Sequence, residues 1–419
     1  MRHPTRFSVP WKCAYVSRDL SPRVTIAPMS FQPLAGALVL DLTGSLAGPH
    51  CTEVLGALGA DVVKVERPDG GDETRLWGPP FSGGEGMLFL SANANKRSVA
   101  LRLGDPGARA ALLRLVAGAD VVVQSLRPGL AERHGLGAQE LLGRNPRLVY
   151  CSITAYGGDG PLRDEPGYDP LVQAAAGIMS VTGARDGPPV RVGVSLVDFT
   201  TGMWAALGIV AALADRERTG RGRLVETSLY EAALGLASYH LTGSLVTGRE
   251  PGRSGTAFPL IVPYQAFRTR DGDLMLAAAN DRLFVALAHA IDRPELAGDP
   301  RFATNPDRVE HRDELVSLLH GFLAERTTGE WLERLRAAGV PAAPVASLSE
   351  VAASPQTAAL GALERELDAV APALTVDGEA LHNRTRAPRL GEHTREVLTG
   401  AGCSEDEIDA LFRSGAAAE

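Results

Sequence analysis

The chain's first strong pattern is a short apolar run, Ala37-Leu-Val-Leu-Asp-Leu42, of the kind that forms a strand buried on both faces of a parallel sheet. The turn Thr43-Gly-Ser-Leu-Ala-Gly-Pro49 follows, and residues 50–58 predict a helix stopped by Gly59. Asp61-Val-Val-Lys-Val-Glu66 repeats the strand signal, as do residues 99–103, 119–124 and 148–154, with a helical stretch at 106–117. Strands alternating with helices predict an α/β fold: a Rossmann-like large domain built on a parallel sheet. Residues 168–177 and 200–217 read as helices, the second apolar nearly all round and so expected inside. A strand at 224–228 leads into a helix at 229–242, and the Gly/Arg/Ser-rich stretch 247–256 reads as a loop. Beyond it, residues 264–269 and 274–278 flank Asp271-Gly272 as a hairpin, followed by helices at 282–291, 308–325 and 328–338. This predicts a smaller α+β domain. A last helix is expected at 404–413.

The expected organisation is an extension over residues 1–28, a large domain over 29–230, a linker over 231–255, a small domain over 256–345 and a C-terminal segment over 346–419. The extension holds Arg2, Arg6, Lys12, Arg18 and Arg23 against one acid, Asp19, and has no apolar core for a signal peptide. It reads as sequence upstream of a start at Met29, with an Arg-rich transit segment as the alternative.

Composition narrows the function. The 419 residues are 45% hydrophobic and 22% charged, which is globular, and the net charge of −8 provides no basic surplus for nucleic acid. Only Lys12, Lys64 and Lys96 among the 42 basic residues are lysines, a bias that points to a GC-rich bacterial genome. Four scattered cysteines form neither a metal-site spacing nor a disulfide scaffold. The longest apolar run, residues 203–214, is too short to span a bilayer. The expectation is a soluble cytoplasmic protein with no nucleic-acid or membrane partner and no metal.

Several residues carry candidate chemistry. Gly44 and Gly48 sit where a phosphate can approach a helix N-terminus, and Glu66 ends the second strand where a ribose-binding acid lies in dinucleotide folds. Yet Gly44-Ser-Leu-Ala-Gly48 departs from the GxGxxG spacing, and Arg67 after Glu66 suits a phosphate better than a ribose. Asp169, in Gly167-Tyr-Asp-Pro170, reads as the cap of its own helix. Asp198 precedes the long apolar helix, where it is either another cap or an ionised carboxylate, with an ordinary pKa near ~3.9, able to act as a nucleophile without a general base. The residues alone leave both roles open. No GxSxG or HExxH motif occurs.

Taken in order, the segments resemble the family III CoA transferases, the group that also holds the α-methylacyl-CoA racemases. The residues that carry the resemblance include Val39-Leu-Asp-Leu-Thr-Gly-Ser-Leu-Ala-Gly-Pro49, Leu58-Gly-Ala-Asp-Val-Val-Lys-Val-Glu-Arg-Pro68, Gly71-Asp-Glu-Thr-Arg75, Asn95-Lys-Arg-Ser98 and Arg127-Pro-Gly129. Asn145-Pro-Arg-Leu-Val-Tyr150, Gly167-Tyr-Asp169, Asp186-Gly-Pro-Pro189, Asp198, Thr219-Gly-Arg-Gly222 and Leu390-Gly-Glu-His-Thr394 continue it, so that it runs from about Leu34 to Leu398.

The resemblance implies a Rossmann-like large domain, a small domain, a C-terminal segment that returns to the large one, and an interlocked homodimer. It implies Asp198 as a covalent nucleophile supported by Tyr168 and Asp169, with acyl-CoA and small carboxylic acids as partners. Coenzyme A then enters as a substrate and no cofactor is permanently bound. Leu46, Ala47, Arg67, Leu126, Arg127 and Arg133 fall at positions the family uses to hold CoA. A lysine expected near the end of Leu101-Arg-Leu-Gly104 is replaced by Gly104, so that either Arg102 substitutes or the contact is missing. The racemases place a histidine thirty residues before their aspartate; that position here is Tyr168, which breaks the proton-moving pair. The expected activity is therefore CoA transfer rather than racemisation, with a catalytically silent CoA-binding protein as the other alternative. The segments around Gly71–Pro80 and Ile261–Phe267 resemble the succinyl-CoA:glutarate type, which implies a dicarboxylate acceptor such as glutarate or adipate and succinyl-CoA as donor.

Overall fold

A computed structural model describes residues 31–419; the predicted extension over 1–28 lies outside the described residues. The chain divides into two compact units. The larger holds residues 31–176, Val194–Ser238 and Gln356–Glu419, and the smaller holds Gly177–Gly193 and Tyr239–Pro355.

The larger unit is built on six parallel strands: β1 (Leu38–Leu42), β2 (Asp61–Glu66), β3 (Lys96–Leu101), β4 (Val121–Gln124), β5 (Val149–Thr154) and β6 (Leu224–Ser228). Their order across the sheet is β3-β2-β1-β4-β5-β6, which is the doubly wound Rossmann arrangement. Val39, Leu40, Val63, Val99, Val122 and Val149 are fully buried, as strands covered on both faces require. The strand expected at 99–103 begins earlier, at Lys96, because Lys96 and Ser98 are polar yet buried. Residues Ala417–Ala418 add a short antiparallel strand beside β3, and helix Glu405–Arg413 packs Ile408 and Leu411 into the core beneath it.

Four helices position the site: α1 (Ala47–Ala57), α2 (Asp169–Ala175), α3 (Leu196–Thr219) and α4 (Leu229–Leu236). The predicted helix 200–217 is thus longer, and Asp198 lies inside its first turn rather than ahead of it. By length and composition alone, α3 is apolar enough to cross a bilayer, an outcome the twelve-residue run in the sequence had excluded. In the fold it lies on α1, β5 and β6, with Val197, Ala205, Ala206, Ile209 and Ala212 buried.

The smaller unit carries an antiparallel sheet of β7 (Tyr264–Arg268), β8 (Asp273–Ala277) and β9 (Ala342–Pro344), with β8 in the middle. Helices Asp281–Ala290, Arg312–Leu323 and Thr328–Ala337 close a core around Phe267, Leu276, Phe284, Leu319 and Trp331.

The expected boundaries need correction in three places. The linker over 231–255 is largely helical, in α4 and in helix Ser238–Thr247. The smaller unit begins at Tyr239 and extends to Pro355. It also takes in Gly177–Gly193, because Gly255 N–H donates to Gly183 O at 2.8 Å and Arg253 Nη2 to Gly187 O at 2.7 Å.

Candidate active site

In an open parallel sheet, ligands meet the carboxyl ends of the strands where the strand order reverses. Here that point lies between β1 and β4, and the sequence-derived CoA residues cluster on the surrounding loops. Leu46 and Ala47 follow β1, Arg67 follows β2, Arg102 follows β3, and Leu126 and Arg127 follow β4. The β1 and β4 loops are tied by Gly44 N–H donating to Ser125 Oγ at 3.2 Å, and Gln124 Oε1 accepts from Leu126 N–H at 2.7 Å. Helix α1 starts with no side-chain cap and no acid in its first turn, which leaves its N-terminal dipole end unneutralised. Arg67, Arg127 and Arg133 are exposed. Arg102, the proposed stand-in for the missing lysine, is already engaged: Asp69 lies 3.6 Å away and the Gly415 carbonyl accepts from it at 3.4 Å.

Beneath this rim lies an ionic network that sequence reasoning missed. Asp41 is fully buried and accepts from Thr43 N–H (2.9 Å), Thr52 Oγ1 (2.7 Å) and Lys96 Nζ (3.0 Å). Lys64, also fully buried, donates to Thr43 O at 2.8 Å and pairs with Asp72 at 2.9 Å. Burial alone would raise the Asp41 pKa, but the two lysines, with hydrogen bonds from Thr43 and Thr52, outweigh it and hold the group well below the carboxylate range. Glu66 is buried and bound by Arg75 at 2.7 and 2.8 Å and by Ser98 Oγ at 2.7 Å, so it is unavailable as the ribose-binding acid its position suggested. One signal for this network was in the sequence: in an arginine-rich chain, two of only three lysines sit at its centre. A single compact ammonium fits where a guanidinium fork does not.

Asp169 and Asp198 come together at the start of α3. Asp169 does not cap its own helix; Tyr168 stands at that cap without a side-chain bond. Instead its carboxylate crosses to α3, where Oδ2 accepts from Val197 N–H at 2.8 Å and Asp198 N–H at 3.3 Å, while Gln173 Nε2 donates to Oδ1 at 2.6 Å. The hydroxyls of Thr200 and Thr201, in the same turn, donate back to Leu196 O and Val197 O. Asp198 is 9% exposed, and burial, reinforced by the neighbouring Asp169 charge, pushes its pKa up to about 7. The ordinary, fully ionised carboxyl expected from the sequence is thus replaced by one poised near neutrality, as functional carboxyls often are.

Helix α3 reaches this position because Gly202 lets it lie against α1: a Cβ there would stand 2.6 Å from Ala47 O and 3.2 Å from Cys51 N. Gly202→Val should therefore force the helices apart and lower stability by about 1–3 kcal/mol, read as a reduced midpoint in urea. His50 on α1 meets Phe199 edge-on at 4.8 Å. Tyr168 is exposed, donates to Glu73 Oε1 at 3.0 Å and lies against Trp77 with ring centroids 6.1 Å apart. The Glu73 hydrogen bond pushes the Tyr168 phenol pKa up, and the Arg127 charge opposes that rise.

Residues 34–394 match the sequence profile of CoA-transferase family III. The chain belongs to that family. It is a family III CoA-transferase, and its reaction is CoA transfer between acyl-CoA and carboxylic acids. The chain is 39% identical to a succinyl-CoA:glutarate CoA-transferase of Mus musculus over 394 residues, covering 92% of this chain and 90% of that one. It is 40% identical to an acetyl-CoA:oxalate CoA-transferase of Acetobacter aceti over 364 residues, covering 86% and 93%. The crystal structure of a CAIB/BAIF family protein from Brucella suis superposes with a TM-score of 0.81 at 36% identity, covering 89% of this chain and all of that one.

Proposed function

We propose that this CoA-transferase carries CoA on Asp198, moving it from succinyl-CoA to a dicarboxylic acid such as glutarate. The observation that carries this reading is Asp198 itself: a buried carboxyl in the first turn of α3, fixed through its backbone by Asp169 and raised in pKa to about 7. Its carboxylate oxygen attacks the thioester carbonyl and CoA leaves as the thiolate, giving a mixed anhydride. The thiolate then attacks the aspartyl carbonyl and releases the donor acid, leaving an aspartyl-CoA thioester. The acceptor carboxylate attacks that thioester, CoA thiolate leaves, and attack of the thiolate on the new acyl carbonyl releases the acceptor acyl-CoA and restores Asp198. Each intermediate is of comparable acyl activation, so the site's work is to hold the partners and exclude water. The β1–α1 turn that carries the buried Leu46 and Ala47 holds the CoA moiety together with Leu126 and with Arg67, Arg127 and Arg133, whose guanidinium groups suit its phosphates.

The nucleophile is the ionised form, so kcat/KM for the acyl-CoA should rise with pH and level off above an apparent pKa of about 7. A rate–pH profile that is flat between pH 5 and 8 contradicts the assignment. The relatives in hand act on glutarate and oxalate, both dicarboxylic acids, while their donors differ, which favours a dicarboxylate acceptor. Side-by-side assays from succinyl-CoA to glutarate, adipate, butyrate and formate test it. Monocarboxylates should be worse by about ten- to a hundredfold, because one charged hydrogen bond at the site is left unmade. Butyrate used as well as glutarate overturns the acceptor class and leaves CoA transfer standing.

The working unit is proposed to be an interlocked homodimer, the arrangement the family resemblance implies. In its support, Phe199, Met203, Trp204 and Leu207 form an exposed apolar stripe along α3, and Leu245 and Val246 stand exposed on helix Ser238–Thr247. Sedimentation should give twice the chain mass without dissociation on dilution; an active monomer contradicts it.

A further inference from the structure

We propose that Asp72, backed by Lys64, is a positioning residue for CoA recognition: it locks the β1–α1 turn, in which Gly44 and Ser45 are the half-buried residues a substrate can reach while Leu46 and Ala47 pack inside. The inference rests on reading that turn as a CoA-contacting element. Ser45, in the middle of the turn, has φ of 67°, a left-handed conformation that residues other than Gly, Asn and Asp seldom adopt. Side chains from three strands and the loops after them fix it there. Thr43 N–H is taken by Asp41 Oδ1 at 2.9 Å, Gly44 N–H by Ser125 Oγ at 3.2 Å and Ser45 N–H by Asp72 Oδ1 at 3.3 Å. Thr43 O accepts from Lys64 Nζ at 2.8 Å.

Asp72 is in turn immobilised. Its Oδ1 accepts from Thr74 N–H and Oγ1 at 3.0 and 2.8 Å, its Oδ2 faces Lys64 Nζ at 2.9 Å, and its own N–H donates to Glu66 Oε2 at 2.9 Å. The turn passes in van der Waals contact with the carboxylate, since a Cβ on Gly44 would lie 3.7 Å from Oδ2. The Asp72 and Lys64 side chains are 1% and 0% exposed, so they cannot touch CoA and act only through the turn. This gives the Gly71-Asp-Glu-Thr-Arg75 segment a role: a buried charge sets the backbone that the substrate meets.

The test compares full-length wild type, Asp72→Asn, Asp72→Asn/Ser45→Gly and Ser45→Pro. Free CoA binding is measured by calorimetry, kcat/KM for succinyl-CoA and for glutarate by assay, and Tm by thermal unfolding. Asp72→Asn should weaken CoA binding and lower kcat/KM for succinyl-CoA about 10- to 30-fold, the scale of one lost charged hydrogen bond plus a loosened turn. The value for glutarate, which meets CoA already joined to the enzyme, should change less than about threefold. Glycine adopts the positive φ freely, so the double variant should regain most of the CoA affinity while its Tm stays at the Asp72→Asn level. Ser45→Pro deletes the N–H that Asp72 accepts and forbids the positive φ while leaving the Asp72–Lys64 pair in place, so it should lose at least as much affinity, and it decides the matter if Asp72→Asn folds poorly. Wild-type CoA affinity in either single variant overturns the proposal, as does a loss in Asp72→Asn that Ser45→Gly does not recover. Failure of the wild type itself to bind CoA would instead overturn the CoA reading of the turn.

Discussion

Asp198→Asn is expected to lower CoA transfer by at least about 10⁴-fold, because an amide cannot form the anhydride or the thioester through which CoA passes. The substitution is close to isosteric. The bonds that hold the start of α3 run from the Val197 and Asp198 backbone to Asp169, so the helix should stay in place and CoA should still bind. Stability should move the opposite way from activity. The Asp198 pKa is raised from 3.8 to about 7 on folding, so between these values the native chain keeps a proton that the unfolded chain releases. Stability contributed at this position is therefore lost as pH rises from about 4 to about 7. At pH 8 the variant, free of the buried charge, should unfold at a higher temperature than the wild type, and at pH 4 the two should nearly coincide. A variant with wild-type turnover, or one less stable at pH 8, contradicts this account.

Lys64→Met should be the most destabilising single change in the larger unit, costing about 3–5 kcal/mol, since removing one member of a buried ion pair strands the other. Burial alone would lower the Lys64 pKa, but Asp41, Asp72 and Glu66 around it hold the ammonium well above its ordinary value. Its loss leaves Asp72 without its cation and Thr43 O without its donor. Lys96 differs. Burial and the nearby Lys64 charge lower its pKa despite Asp41, so its charge is less well supported. Lys96→Met should accordingly cost less than Lys64→Met, and chemical unfolding of the two variants measures the order. The reverse order would mean that Asp41, rather than Asp72, is the carboxylate that most needs its partner.

The parallel sheet was legible because strands such as Leu38–Leu42 and Val121–Gln124 are apolar on both faces, the strongest signal a buried strand can give. The start of β3 was not, because Lys96 and Ser98 are polar groups satisfied by partners far along the chain: Asp41 for the first, Glu66 and Gly391 for the second. Periodicity sees side-chain polarity and has no view of such pairings. The same blindness left Glu66 standing as a candidate ribose-binding acid and made Asp169 a local cap. In both cases the local motif was real, but the competing partner was Arg75 in a separate turn, or the start of α3 some thirty residues on. The pKa of Asp198 was likewise beyond reach, since it depends on burial and on a second carboxylate that folding brings beside it. What pointed to Asp198 was the ordered series of family segments around it, not any property of the residue taken alone.

The most direct test of the covalent account is mass spectrometry of the intact enzyme, quenched in acid after brief incubation with succinyl-CoA and no acceptor. The expected species carries the mass of one CoA less one water per chain, and digestion should place it on the peptide that contains Asp198. It should discharge when glutarate is added before the quench. Enzyme that transfers CoA to glutarate in assay yet remains unmodified by succinyl-CoA alone, or that carries the adduct on another residue, contradicts the assignment of Asp198 as the CoA carrier.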